Sequence, residues 1–146
     1  MISDAYAAGF IDGEGSIGIT RSLRPRYAVT KEQYAVRIAV GNTYKPILDM
    51  LVECYGGQVV EKRSHNPWSR KPMYHWLLTG SKAIECLRKL YPHLVEKRER
   101  AWLALEFACQ ITKGSPGKAL PREEQALREG FWLATQASMG NMDWAA

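Results

Sequence analysis

The sequence predicts an α+β fold of the order αββαββα: a four-stranded antiparallel sheet with helices on one face, followed by a C-terminal helical extension. Three observations predict it. Two pairs of segments alternate apolar and polar residues with the period of a strand, and each pair is split by a basic, Pro-containing turn. Segments of helical periodicity stand before, between and after those pairs. The breaker running from Lys113 to Pro121 then sets one last helical segment apart.

The first helix is expected over about Ala5–Asp12, capped by Ser3 or Asp4 and stopped at Gly13 or Gly15. Ala5, Ala8, Gly9 and Gly13 give it an edge of small residues. From Ser16 to Ser22 the chain alternates Ile17, Ile19 and Arg21 with Gly18, Thr20 and Ser22. A second strand, about Gln33–Val40, places Tyr34, Val36, Ile38 and Val40 on one side and Gln33, Ala35, Arg37 and Ala39 on the other. The two form a long hairpin. A helix over Lys45–Tyr55 carries the stripe Ile47, Leu48, Leu51, Val52 and Tyr55 and is closed by Gly56 and Gly57. Strands Gln58–Arg63 and Met73–Thr79 follow, with Tyr74, Trp76 and Leu78 facing the core. Ser81 is expected to cap a helix to Leu90, Pro92 interrupts, and a longer helix runs from Leu94 to Thr112. The last helix, about Arg122–Ser138, carries Leu127, Phe131 and Ala134. Residues 1–112 are expected to form the core, with 113–146 packed on it as a helical extension, and no internal repeat is visible.

A chain of 146 residues fits one domain and can bury a core without staples. Cys54, Cys86 and Cys109 form neither an even set nor a CxxC pair, which argues against a disulfide framework or a zinc site and for an intracellular setting. The N-terminal segment lacks a basic region followed by a long apolar run, and the most apolar later stretch, Trp102–Cys109, is short and interrupted by Glu106. Neither secretion nor membrane insertion is expected.

The net charge of +5 is a weak sign of a polyanionic partner, but its distribution is informative. Residues 18–46 hold Arg21, Arg24, Arg26, Lys31, Arg37 and Lys45 against Glu32, and residues 56–82 hold Lys62, Arg63, Arg70, Lys71 and Lys82 against Glu61. Solubility alone is usually achieved with mixed signs. Both basic segments coincide with the hairpins, so the sheet face away from the helices is expected to be polar, rich in arginine and accessible. A plain solvated face is the competing explanation.

The segment Ala7-Ala8-Gly9-Phe10-Ile11-Asp12-Gly13-Glu14-Gly15 resembles the motif that names the LAGLIDADG homing endonucleases. Gly9 and Gly13 are spaced as GxxxG, which lets two helices approach until their backbones touch. Two such helices would bring their C-terminal ends, and so two copies of Glu14, side by side. Close carboxylates repel unless a divalent cation neutralises them. Glu14 and the Gly13 carbonyl are the expected ligands, and hard oxygen donors left open to water and phosphate suit Mg²⁺. Mn²⁺ or Ca²⁺ would substitute at the site, Ca²⁺ without cleavage. Asp12 is expected to be structural, satisfying backbone groups of a turn.

The resemblance extends over roughly residues 1–112 and implies a saddle-shaped sheet that binds double-stranded DNA, with paired metal sites that activate water and cut one strand per subunit. One motif per chain implies a homodimer with Ala5, Ala8, Gly9, Asp12 and Gly13 at its interface, acting on a pseudo-palindrome and leaving short 3′ overhangs. Lys97 matches a lysine that reaches the catalytic centre, where it would stabilise charge on phosphate or orient water; a solvated lysine is the alternative, and Arg98 is the neighbouring candidate. Asn42 matches a position that orients water near the metal, and it also stands where a helix N-cap is expected. Glu14 replaces the more usual Asp of the motif with a chemically equivalent acid.

On the open face Thr20, Ser22, Arg24, Gln33, Arg37, Lys62 and His75 are the candidates for reading base edges, Arg24 and Arg37 suiting guanine and Gln33 adenine. Lys31, Lys45, Arg70 and Lys71 are the candidates for gripping phosphate. Within the family the gene would lie in a mobile element, in a bacterial or phage cytoplasm or an organelle. Two other functions fit the same scaffold: a maturase bound to its host intron RNA, and a DNA-binding regulator without catalysis.

Overall fold

The computed structural model describes residues 1–25, 32–63, 68, 71–114 and 117–145, with side chains described as far as Ser138. Helix α1 (Asp4–Glu14) starts at Ser3, whose hydroxyl accepts the Tyr6 N–H at 3.1 Å. It runs through Gly13 and includes Glu14, two residues further than the sequence pattern indicates, and Gly15 ends it by donating its N–H to the Ile11 carbonyl. The corner from helix to strand is crowded. A Cβ on Gly15 would lie 2.9 Å from Val40 Cγ2 and 3.1 Å from the Ala39 carbonyl, which is why a glycine stands there.

Strands β1 (Gly15–Leu23) and β2 (Glu32–Asn42) form the long hairpin. Helix α2 (Lys45–Tyr55) leads to β3 (Gln58–Lys62) and β4 (Met73–Thr79). The sheet order is β1-β2-β4-β3, antiparallel throughout. Its register pairs Ile17 with Ile38, Ile19 with Val36, Ile38 with Leu78 and Val40 with Trp76, so the apolar side chains share one face. That face is covered by Leu48 and Leu51 of α2, by Leu87 and Leu90 of α3 (Ser81–Leu90) and by Ala104 and Phe107 of α4 (Arg98–Gln110), all buried. Trp76 is fully buried and its indole N–H is satisfied at 2.8 Å by the Gly56 carbonyl.

Helix boundaries also differ from the sequence expectation in α3 and α4. Gly80, not Ser81, occupies the N-cap of α3 at φ 68°, and its N–H donates to the Val36 carbonyl at 3.0 Å. Helix α4 begins at Arg98 rather than Leu94 because residues 94–97 form a turn whose N–H groups are taken by Asp12. It also ends two residues earlier than expected, at Gln110.

The C-terminal helix α5 (Arg122–Ala145) is longer than the pattern indicates and packs on α4 and β1. Phe131 meets Phe107 edge to face at 5.9 Å, and the Arg21 guanidinium lies 4.9 Å over the Trp132 ring. Glu124 accepts the Thr112 N–H at 2.7 Å while Arg128 donates to the Thr112 carbonyl at 2.6 Å, fixing the chain where it leaves α4.

The three cysteines are free, and burial pushes the Cys86 thiol up to about 12, which keeps it unreactive. Among the described residues no helix is long and apolar enough to cross a membrane. Gly57 sits at φ 86°, with the Leu77 carbonyl 2.5 Å from where a Cβ would be. Gly57→Ala is therefore expected to lower unfolding free energy by about 1–3 kcal/mol, read from the urea midpoint at an unchanged slope.

Candidate nucleic-acid interface and catalytic centre

The second face of the sheet carries no helix residues of the core. Across it, Thr20 stands opposite Ala35, Ser22 opposite Gln33, Gly18 opposite Arg37, Arg37 opposite Thr79, Gly41 opposite His75, and Lys62 opposite Met73. The register therefore gathers Thr20, Ser22, Gln33, Arg37, Lys62 and His75 on one surface, with Arg24 just past the end of β1. Four of these are already oriented. Arg24 Nε donates to the Gln33 amide oxygen at 3.4 Å, Thr20 Oγ1 donates to the Ala35 carbonyl at 3.2 Å, and the His75 ring occupies the space a Cβ on Gly41 would need, 2.9 Å from its Cε1. Val60 and Met73 are exposed among them and add apolar area suited to base methyl groups.

The expected phosphate contacts divide. Lys71 is exposed in the connection before β4. Lys45 does not join the open face: it starts α2, in the helix layer, and pairs with Asp49 at 3.0 Å one turn along the same helix. Lys31 and Arg70 lie outside the described residues.

At the other end of β1, three groups converge on the C-terminal end of α1. Glu14 is the last residue of that helix and is exposed. Asp12, two residues earlier and on a different side of the helix, accepts the Val95 N–H at 2.8 Å and the Lys97 N–H at 3.0 Å. The Lys97 ammonium in turn donates to the Asp12 carbonyl. Only 6% of Lys97 is exposed, so it is not a solvated member of a charged run. Its nearest carboxylate is Glu96, at 3.9 Å. Arg98 is directed elsewhere, its guanidinium 5.0 Å over the Tyr91 ring.

The role of Asp12 agrees in kind with the sequence reading, since it satisfies turn backbone groups, but the turn is the one at residues 94–97. This clamp had no sequence signal, because its two halves are 85 positions apart. Asn42 ends β2 at the same end of the sheet, two residues beyond the Val40 that pairs with Gly15. Its amide oxygen accepts the Tyr44 N–H at 2.8 Å, forming a turn that leads into α2.

The small-residue edge of α1 is partly as expected. Ala5, Gly9 and Gly13 are exposed along one line, and a Cβ on either glycine would meet nothing within 4 Å. Ala8 does not belong to it: it is fully buried in the chain's own core beside Ala7. The Asp12 carboxylate is likewise spent on the 94–97 turn. Among the described residues no group of three His, Cys, Asp or Glu side chains could hold a metal.

No family model and no curated protein matches the chain in sequence. Solved structures do match in shape. The homing endonuclease I-CvuI, in complex with its target, superposes with a TM-score of 0.63 at 23% identity over 88% of this chain and 93% of its own. The archaeal intron-encoded homing endonuclease I-Vdi141I, complexed with DNA, gives 0.55 at 17% identity over 89% and 96%. The LAGLIDADG homing endonuclease I-SmaMI, bound to cleaved DNA, gives 0.61 at 15% identity, with 96% of this chain matching 43% of that one. The αββαββα core seen here, with its motif helix ending in Glu14, has the fold of the LAGLIDADG homing endonucleases.

Proposed function

We propose that this chain is a site-specific DNA endonuclease of the homing type, acting as a homodimer on a long pseudo-palindromic duplex and leaving short 3′ overhangs. The observation that carries the proposal is the position of Glu14: an exposed carboxylate ending a helix whose small-residue edge is open, with the buried Lys97 ammonium bonded two residues away. That I-SmaMI accommodates this chain over 43% of its length fits a chain supplying one half of a two-centre enzyme.

The donors at this end suit a hard divalent cation. Glu14 and the Gly13 carbonyl are oxygen ligands, and they stand at the C-terminal end of a helix, where the aligned peptide dipoles favour positive charge. I-CvuI was crystallised on its target in 2 mM Ca and on an I-CreI target, uncleaved, in 2 mM Mg. Bound there, Mg²⁺ would acidify water and shield the phosphate oxygens. The chain's own contributions are the Glu14 carboxylate that holds the ion, the Lys97 ammonium that offsets charge building on phosphate, and the sheet face that sets register along the groove. Two such faces would span about 20 base pairs, two helical turns.

Selection of cleaved targets from a randomised duplex library in Mg²⁺ tests the proposal. A long pseudo-palindrome cut on both strands is the expected result. Duplexes retained but never cut would make the chain a DNA-binding regulator, and retention of intron RNA alone would make it a maturase. The dimer has its own test. Gly9→Leu places a branched side chain on the open edge and is expected to shift the sedimenting species from dimer to monomer, at little cost to folding because nothing lies within 4 Å of that Cβ. An active wild-type monomer would rule out the paired-helix arrangement.

A further inference from the structure

The sheet is stepped. Strand β2 pairs with β4 only as far as Arg37 and Thr79, whereas its pairing with β1 continues to Glu32 and Leu23. The hairpin therefore overhangs the end of β4, and the step opens a groove of about 840 Å³. Arg37 and Thr79 line it on the side of the open sheet face, Lys82 lines it from the first turn of α3, and Gln136 and Trp132 line it from α5. Among the described residues that line it none carries a carboxylate.

Lys82 is informative because the helix does not favour it there. The first turn of α3 has no acidic residue, and the positive end of a helix repels a cation. Its stem nonetheless lies across Gly56, 3.4 Å from where a Cβ on that glycine would be. Among the described residues neither Lys82 nor Arg37 takes part in an ion pair. A cation kept against the dipole, beside a second cation and an exposed amide with no acid between them, matches the chemistry of a phosphodiester.

We infer that this groove holds the sugar–phosphate backbone of the duplex where it leaves the open sheet face, with Arg37, Lys82 and Gln136 as donors. The C-terminal helix thus extends the nucleic-acid interface around the end of β4. Lys82 and Gln136 come from two helices beyond the last paired position of β4, a place that suits backbone contacts, and Arg37 lines the groove from the open sheet face it shares with the base-reading candidates. The inference rests on the DNA-binding reading above.

Its test is the salt dependence of binding by the full chain to a mixed-sequence duplex, and to one shortened by a helical turn at each end. Lys82→Ala is expected to weaken binding several-fold whatever the sequence, and to reduce the slope of log K against log salt by about 1 for each protomer. Gln136→Glu, which puts a negative charge into the groove, is expected to weaken binding in the same way. Melting temperature should hold or rise in Lys82→Ala, since the replaced charge opposed the helix. On the shortened duplex wild type and Lys82→Ala should converge. An unchanged slope, or an equal loss on both duplexes, overturns the inference while leaving the nuclease reading intact. Stabilisation of wild type, but not Lys82→Ala, by inorganic phosphate with no difference in duplex binding would mark a free-anion site and also overturn it. If wild type retains no duplex at all, the DNA-binding reading itself fails and takes this inference with it.

Discussion

Glu14→Gln is expected to abolish cleavage, lowering the single-turnover rate on the selected target at least about a thousandfold, while duplex binding without metal is kept. The substitution is nearly isosteric and removes only the charge. A divalent ion lends several kcal/mol of charge stabilisation to phosphodiester hydrolysis, and each 1.4 kcal/mol is a factor of ten in rate. Losing the exposed carboxylate proposed to hold the ion in each chain should forfeit most of that. In the proposed dimer two carboxylates brought together by paired helices would also repel in the absence of metal, and removing both would relieve the repulsion. The variant dimer should therefore be no weaker than wild type in chelator, and less stabilised by added Mg²⁺. Cleavage at the wild-type rate would remove Glu14 from the catalytic centre and leave the proposal without its main support.

Asp12→Ala should be the most damaging change to folding at this end of the molecule. Its carboxylate accepts two backbone N–H groups, from Val95 at 2.8 Å and from Lys97 at 3.0 Å. Hydrogen bonds to a charged acceptor contribute about 1.5–3 kcal/mol each, and Asp12 is only half-buried, so a loss of about 2–4 kcal/mol is expected in urea unfolding. Asp12→Asn keeps one acceptor oxygen and should recover part of the stability. The 94–97 turn also sets where the Lys97 ammonium sits, so cleavage should fall further than binding in both variants. If Asp12→Ala unfolds like wild type, the clamp does not hold the turn in solution.

The sheet was legible in the sequence because its alternation is regular: Ile17, Ile19, Val36, Ile38 and Val40 are all buried, as their period requires. That same period placed Thr20, Gln33, Arg37 and His75 on the opposite face. Motif residues were legible because a local run carries them. What could not be read were features made by distant partners. Helix periodicity continues smoothly from Leu94, yet a carboxylate 85 positions away from Lys97 captures the N–H groups that would have opened the helix. Ala8 was placed on the small-residue edge because spacing alone does not say which of two alanine-bearing sides faces the core. Lys45 was grouped with the basic hairpins by sequence position, although its helix faces the other layer.

The span of the Asp12–Lys97 contact also bears on when, in the proposed nuclease, cutting would become possible. A link across 85 positions closes late, since chain entropy opposes long loops before many other contacts are made. A nascent chain that has exposed its motif helix still lacks the turn that anchors Lys97, and so lacks the ammonium that bonds the Asp12 carbonyl two residues before Glu14. Truncated or half-folded copies would carry the recognition hairpin and the acid, but not an assembled cutting centre. Competence would then arrive only once the chain extends past Lys97, and products shortened before that point would lack the clamp.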